Sequence, residues 1–297
     1  MEPQHQPVLL AEALAFLAVK PGGFYVDGTV GLGGHARAIL DASAPAGRLL
    51  GVDRDSEALA LTEQRLAGYG PRVELRHSDF RALPALLAGA MPDGILLDLG
   101  VSSFQLDCAE RGFSFRREGP LDMRFDRMQH ETATDLVNRL PETELADVIY
   151  RFGEEPRARR IARCLVAARR RGRIETTAAL AGALRGVDRR GRIDPATRTF
   201  QALRIRVNRE LDGLPAALGQ LAHSLAPGGR LVVISFHSLE DRAAKQALAA
   251  LPRAGFRVLT PKPVRPAGDE LARNPRARSA RLRAAERLDQ EPRIAAA

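Results

Sequence analysis

The chain is 297 residues long, which at about 100 to 200 residues per domain allows one large domain or two ordinary ones. Apolar residues at 45% and charged residues at 27% lie close to globular averages and exclude wholesale disorder, collagen-like repeats and small disulfide scaffolds. The net charge is +9, with 42 Arg against 3 Lys; residues 110–213 carry +7, residues 252–297 carry +6 and the rest −4, so a neutral-to-acidic core bears two basic attachments suited to a polyanion.

At the N-terminus, Met1 to Leu10 has no basic leader, and the apolar run Leu9 to Val19 is short and interrupted by Glu12, so neither a signal peptide nor a membrane span is expected. Strand-like runs follow at Phe24 to Asp27, Arg48 to Asp53, Val73 to His77 and Gly94 to Leu99. Between them, Ala36 to Leu40, Ser56 to Leu66 and Leu83 to Leu87 place apolar residues at helical spacing. This βαβ alternation predicts an α/β fold with a doubly wound parallel sheet, whose ligands sit beyond the carboxyl ends of the strands.

After Leu99 the strand signal stops for more than a hundred residues, and Glu142 to Phe152, Ala158 to Arg169, Thr176 to Leu184 and Thr199 to Leu211 read as amphipathic helices. Strand character returns at Arg230 to Phe236, after Pro227-Gly228-Gly229. A Pro-rich loop from Pro261 to Pro275 precedes Ser279 to Glu286, expected as a last edge strand, and Asp289 to Ala297 reads as a frayed tail. The organisation expected is a discontinuous α/β domain, residues 1–109 and 214–297, carrying an inserted helical, basic domain at 110–213. The two cysteines, Cys108 and Cys164, lack C-x-x-C spacing, so no disulfide framework, zinc site or other metal is expected, and a reducing cytoplasm fits.

The segment Asp27-Gly28-Thr29-Val30-Gly31-Leu32-Gly33-Gly34-His35 follows the first strand and opens a helix, the place where α/β domains hold nucleotides. Its glycine spacing is not G-x-G-x-x-G, and no Gly-Lys-Ser/Thr follows, which argues against a phosphate-gripping loop. Asp53 ends the second strand, where a carboxylate accepts hydrogen bonds from ribose hydroxyls; Asp79-Phe80 ends the third, suited to an adenine. Each acid alone is equally readable as a helix cap. Together they favour an adenosine ligand, and Asp27 beside the glycines suits a cationic group better than a pyrophosphate, which points to S-adenosylmethionine.

These residues, with long blocks elsewhere, resemble the small-subunit ribosomal RNA cytosine-N4 methyltransferases, the MraW family. The resemblance runs from His5-Gln6-Pro7-Val8-Leu9-Leu10 through Asp98-Leu99-Gly100-Val101-Ser102-Ser103 and Arg111-Gly112-Phe113-Ser114-Phe115. It continues through Gly119-Pro120-Leu121-Asp122-Met123-Arg124, Phe152-Gly153-Glu154-Glu155 and Pro195-Ala196-Thr197-Arg198-Thr199-Phe200-Gln201-Ala202-Leu203-Arg204. The last blocks are Ser235-Phe236-His237-Ser238-Leu239-Glu240-Asp241-Arg242 and Asn274-Pro275-Arg276-Ala277-Arg278-Ser279. The resemblance implies a class I, Rossmann-like methyltransferase fold with a helical insertion, S-adenosyl-L-methionine as cofactor, and cofactor contacts at Gly33, Gly34, His35, Asp53, Phe80, Asp98 and Gln105. It also implies the small ribosomal subunit, through its 16S ribosomal RNA, as partner, and a cytidine of the decoding region as target. Three positions depart from the family pattern: Phe104 where Pro is usual, Phe125 where Met is common, and Asp194 where His usually stands.

Methyl transfer from a sulfonium is an in-line displacement that chiefly demands alignment and exclusion of water. The N4 amine is a weak nucleophile, and an acceptor that hydrogen-bonds it helps. Asp98 is a candidate for cofactor binding, for orienting the amine, or for capping the next turn. His237 is a candidate base, and Ser238 to Asp241 also has the spacing of a helix cap. The run Arg157, Arg159, Arg160, Arg163, Arg169, Arg170, Arg171, Arg173 reads either as a solvated face or as a phosphate contact; Arg169, Arg170 and Arg171, with Arg204, are the RNA-binding candidates. Two other readings stand beside this one: an NAD-dependent oxidoreductase, and a ribosome-assembly protein that binds RNA without catalysis.

Overall fold

Near-continuous apolar runs such as Gly94–Asp98 and Arg230–Ser235 are the pattern of strands covered on both faces. In the computed structural model, which describes residues 7–187, 194–251 and 255–289, both are central strands of a seven-stranded sheet. In chain order the elements are α1 (Leu10–Leu17), β1 (Phe24–Asp27), α2 (Gly34–Ala42), β2 (Arg48–Asp53), α3 (Ser56–Leu66), β3 (Val73–His77), α4 (Leu83–Leu86) and β4 (Gly94–Asp98). A helical stretch follows, α5 (Ser103–Asp107), α6 (Ala133–Arg139), α7 (Glu142–Gly153), α8 (Ala158–Arg169), α9 (Thr177–Ala183) and α10 (Pro195–Asn208). The chain closes with α11 (Leu214–His223), β5 (Arg230–Ser235), α12 (Ser238–Ala250), β6 (Phe256–Val258), α13 (Gly268–Arg273) and β7 (Arg281–Arg287).

The strand order is β3-β2-β1-β4-β5-β7-β6, parallel except for β7, which runs antiparallel to both its neighbours. Reversal of order between β1 and β4 opens a crevice at their carboxyl ends, and Asp27 and Asp98 end these two strands. Helices cover the sheet through Ile39 and Leu40 of α2 and Ala13 and Leu17 of α1, which share one core with Leu49, Leu96, Val232 and Ile234. The expected α/β class with its helical insertion is therefore the one adopted.

Two units separate, residues 1–100 with 213–297 and residues 101–212. The second unit has its own core, built where the amphipathic faces of α7, α8 and α10 meet around Leu145, Ile149, Ile161, Leu165, Leu203 and Val207. Its first boundary falls at Gly100 rather than 109, because α5 packs Leu106 against this helical core. Arg111, fully buried, donates to the carbonyls of Arg124 and Phe125 at 3.0 and 2.9 Å, so the loop between α5 and α6 is closed on itself.

Some expectations need correcting. The last strand is not an edge: β7 lies between β5 and β6, and the three-residue β6, too short to show alternation, takes the edge. The helix expected at Thr199 to Leu211 begins earlier, at Pro195, because Asp194 caps it by accepting the Ala196 N–H at 2.9 Å, and it ends at Asn208, where Arg209 turns left-handed with φ 50°. Of the expected C-terminal tail, only Asp289 is among the described residues. Among the described residues no helix is long and apolar enough to cross a membrane.

Candidate functional site

The glycine loop joins β1 to α2, and its geometry depends on lacking side chains. Gly33 is the N-cap of α2 with φ 78°, and a Cβ there would lie 2.9 Å from Thr62 Cγ2. A Cβ on Gly28 would come within 2.4 Å of Leu97 Cδ2 and 3.2 Å of Phe80 Cβ, so the loop and the turn after β3 pack backbone to side chain. Thr62 Oγ1 donates to the Gly31 carbonyl at 2.6 Å, and Asp98 N–H donates to Thr29 Oγ1 at 2.7 Å. Thus the loop is tied to α3 on one side and to β4 on the other.

Asp53 accepts the Gly31 N–H at 2.8 Å through one oxygen and the Asp55 N–H at 2.9 Å through the other. A carboxylate has about four acceptor positions, so beyond the backbone N–H groups of Asp55, Gly31 and Arg54 it keeps acceptor capacity for a ribose hydroxyl. Burial pushes its carboxyl above the usual range, opposed by those backbone hydrogen bonds. Asp79 serves as a cap: it accepts the Arg81 N–H at 2.8 Å and is paired with the guanidiniums of Arg81 and Arg54. Phe80 is buried, with the Arg81 guanidinium 4.7 Å from its ring centre, so the ring lines the turn after β3 with that cation on it.

Around Asp98 the charge is unusual. Its Oδ1 is buried and accepts no hydrogen bond among the described residues, while its Oδ2 lies 3.7 Å from His35 Nδ1. Burial pushes the Asp98 carboxyl well up, reinforced by the negative charge of Asp27 and then of Glu240. Asp27, also buried, is pushed up to about 7 by burial and by Asp53, against the hydrogen bond it accepts from the Thr29 N–H. Four acids thus converge from β1, β2, β4 and α12, an environment that disfavours anions and rewards a cation. An uncompensated buried oxygen on Asp98 and a loop intolerant of side chains fit a cationic nucleoside, with Gly33, Gly34, His35, Asp53 and Phe80 in the same unit.

His237 sits after β5 and is the N-cap of α12: its Nδ1 accepts the Glu240 N–H at 3.3 Å, and Nε2 lies 3.1 Å from Glu240 Oε1. Since Nδ1 accepts, the hydrogen of the neutral ring resides on Nε2, which is buried and makes no hydrogen bond among the described residues despite the nearby carboxylate. The cap is therefore one residue earlier than the Ser238 reading, and Glu240, which also takes the Phe236 N–H at 2.9 Å, is the partner that sequence spacing did not single out.

Gln105 lies in the second unit, at the third position of α5, where it completes a capping box: its N–H donates to Ser102 Oγ at 3.2 Å and its Oε1 accepts the Ser102 N–H at 3.0 Å. This turn forms with Phe104 in place of the usual proline. Phe125 stacks on Phe113 at 5.5 Å and donates its N–H to Asn208 Oδ1 at 2.7 Å. Asn208 Nδ2 in turn holds the carbonyl of Met123, a left-handed residue with φ 63°, so Asn208 is the clamp of this loop and had no signal beyond one polar residue on an apolar helix face.

The arginine candidates divide. Arg169 Nη1 donates to the carbonyls of Val137 and Leu140 at 2.7 and 2.8 Å, closing the end of α6. Arg204 forms a two-pronged pair with Glu210, both bonds 2.9 Å. Arg170 and Arg171, just past α8, are exposed, as are Arg159, Arg160 and Arg163.

Comparison with known proteins bears on this arrangement. A model of the MraW methylase family matches residues 2–288. The chain is 52% identical to the ribosomal RNA small subunit methyltransferase H of Thermomicrobium roseum, over 97% of this chain and 95% of that one. It is 48% identical to the protein of the same name from Syntrophus aciditrophicus, over 96% and 98%. Among solved structures it is similar to Aeropyrum pernix fibrillarin in complex with S-adenosyl-L-methionine, with 12% identity, a TM-score of 0.43 and coverage of 93% of this chain and 73% of that one. The chain belongs to the MraW methylase family.

Proposed function

We propose that this chain is an S-adenosylmethionine-dependent enzyme that methylates N4 of a cytidine in the decoding region of 16S ribosomal RNA, acting on the small ribosomal subunit in the cytoplasm. The match to the MraW methylase family over residues 2–288 carries this reading, and the acid-rich crevice at the carboxyl ends of β1, β2 and β4 supports it. When bound, the cofactor supplies a methyl carbon activated by a sulfonium. The chain's part is to hold and align. Asp53 accepts from the ribose hydroxyls, Phe80 lines the adenine, and the loop from Gly33 to His35 lets backbone approach the methionine moiety. Asp98, with a buried and unsatisfied Oδ1, accepts from an N–H of the cofactor or of the target amine. His237 is assigned to capping α12 rather than to proton abstraction. Gln105 presents its amide from a turn whose backbone it also closes. The helical unit, residues 101–212, is the proposed RNA-recognition domain, with Arg170 and Arg171 as its phosphate contacts and Arg169 and Arg204 as supports of its fold.

Assignment to the exocyclic amine rests on which alternatives the residues support. Methylation at C5 needs a cysteine to add to the ring at C6. Cys164 packs against the helical core within α8, and Cys108 caps the end of α5. Ribose methylation needs a base for a hydroxyl of high pKa, commonly a lysine, and Lys20 is held by Asp93 at 2.6 Å. Small ribosomal subunits incubated with labelled cofactor and either the wild type or the C108S/C164S variant, then digested to nucleosides, should yield N4-methylcytidine in both cases. A C5 product, or a product abolished by the serines in a folded, cofactor-binding variant, overturns the assignment. Tight subunit binding without methyl incorporation favours the assembly-protein reading instead.

A further inference from the structure

The imidazole of His35 is oriented by more than its place in the glycine loop. Its Nε2 lies 3.0 Å from the carbonyl oxygen of Val8, and a carbonyl only accepts, so Nε2 carries a hydrogen. In the neutral ring Nδ1 is then an acceptor, and it faces Asp98 Oδ2 at 3.7 Å, itself an acceptor when ionised. His35 is buried, and Asp98 Oδ1 has no hydrogen-bond partner among the described residues. Although the Asp98 side chain is 21% exposed, two acceptors facing each other repel, and one proton on either resolves the conflict. Among the described residues of the first unit, Asp27 from β1, Glu240 from α12 and His35 from α2 bear on Asp98; Asp53 from β2 bears on Asp27, and His237 pairs with Glu240.

We propose that His35 is a positioning residue that, with Asp98, holds one shared proton while the site awaits its cofactor, and that this proton passes to solvent when the sulfonium cofactor binds but stays when the neutral thioether product binds. This rests on the cofactor reading above. The balance is simple: a protonated pair plus a singly cationic cofactor gives an ionised pair facing a cation, with one proton released. The product S-adenosylhomocysteine carries one positive charge fewer and offers no such exchange. The upward displacement of the Asp98 and Asp27 carboxyls, caused first by burial, agrees with a proton being held near neutral pH. The consequence is a site that distinguishes substrate from spent cofactor by charge, and more sharply as pH rises, because a proton that must leave opposes only the first of them.

Calorimetric titration of the full chain with S-adenosylmethionine and with S-adenosylhomocysteine, in buffers of contrasting ionisation enthalpy between pH 5.5 and 7.5, counts the protons directly. The expected result is release of close to one proton with the first ligand and close to none with the second. The affinity ratio should then grow by up to about tenfold per pH unit until the shared proton has gone from the ligand-free protein. An analogue carrying an amine in place of the sulfonium, cationic at these pH values, should behave as the substrate does. In His35→Gln, whose amide donates to an ionised Asp98, the proton count for S-adenosylmethionine should fall towards zero at pH 7. Equal proton counts and parallel pH slopes for the two ligands in the wild type overturn the inference, and an unchanged count in His35→Gln overturns the role given to His35. If a cooperatively folded wild type binds neither ligand, the cofactor reading itself fails, which is a different result from binding both with equal proton counts.

Discussion

Asp53 answers for both the loop and the ligand, since the same carboxylate that receives the Gly31 and Asp55 N–H groups faces the proposed ribose. Asp53→Ala should weaken S-adenosylmethionine binding by about 1.5 to 3 kcal/mol, or about ten- to a hundredfold, the range for hydrogen bonds to a charged group. Calorimetry on a variant that still unfolds cooperatively is the check, and unchanged affinity would remove Asp53 from the ribose site. At this scale much of the site was legible: a glycine loop after a first strand, an acid at the end of a second and an aromatic at the end of a third are local patterns. What was not legible is the meeting of His35 with Asp98, or of Asp27 with Asp98, because the sheet alone brings together residues separated by most of a domain. Asp79 shows the opposite limit, for its position matched a ligand contact, yet two arginines and a backbone N–H already engage it.

Helix α8 carries the run of arginines, and only its packing tells their roles apart. Arg169 lies at the edge of the buried face and closes α6 through two carbonyls, whereas Arg170 and Arg171 follow in exposed positions. Arg170→Gln with Arg171→Gln should leave thermal unfolding unchanged while lowering affinity for the small subunit and flattening its salt dependence, by about 0.7 in logarithmic slope for each single-strand phosphate that is no longer neutralised. Arg169→Gln should instead lower thermal stability, by about 1 to 3 kcal/mol for the missing charge-assisted bonds to buried carbonyls. Subunit binding measured across a salt series, beside thermal melts, separates these outcomes; an unaltered slope in the double variant moves the RNA-binding surface elsewhere. The helices α7, α8 and α9 could be read from the sequence to within a residue or two because their apolar residues recur at helical spacing; only α9 has a side-chain cap, Thr176, and α7 and α8 follow Pro141 and Arg157 without one. Strand β6 could not, with three residues, and without it β7 was read as an edge; Arg281 and Arg283 on β7 are neutralised by Asp241 at 2.9 and 2.7 Å.

For the whole molecule, the buried acids of the crevice set a dependence of stability on pH. Asp27 is pushed up to about 7 when folded, against 3.8 as its ordinary value, burial being the chief cause. Between about pH 4 and 7 the folded chain therefore retains a proton that the unfolded chain has lost, so the stabilisation is complete below that window and disappears as pH rises through it. A displacement of about three in pKa is worth on the order of 4 kcal/mol. Asp27→Asn, unable to ionise, should be the more stable protein at pH 8 and should lose less stability between pH 5 and 8, as measured by urea unfolding without ligand; the same pH dependence in variant and wild type would assign the loss to other groups. The sheet's connectivity also has a consequence for synthesis. Because β4 pairs with β5 across the whole of residues 101–212, and β7, the last strand made, is hydrogen-bonded between β5 and β6, the sheet cannot close until nearly the entire chain has left the ribosome. The helical unit, whose core among the described residues is built from residues 101–207, meets no such delay. During translation the order of maturation is therefore the reverse of the order of the first strands in the chain: the inserted helices can consolidate first, while the half-sheet β1 to β4 waits with an open edge on β4 for partners not yet made.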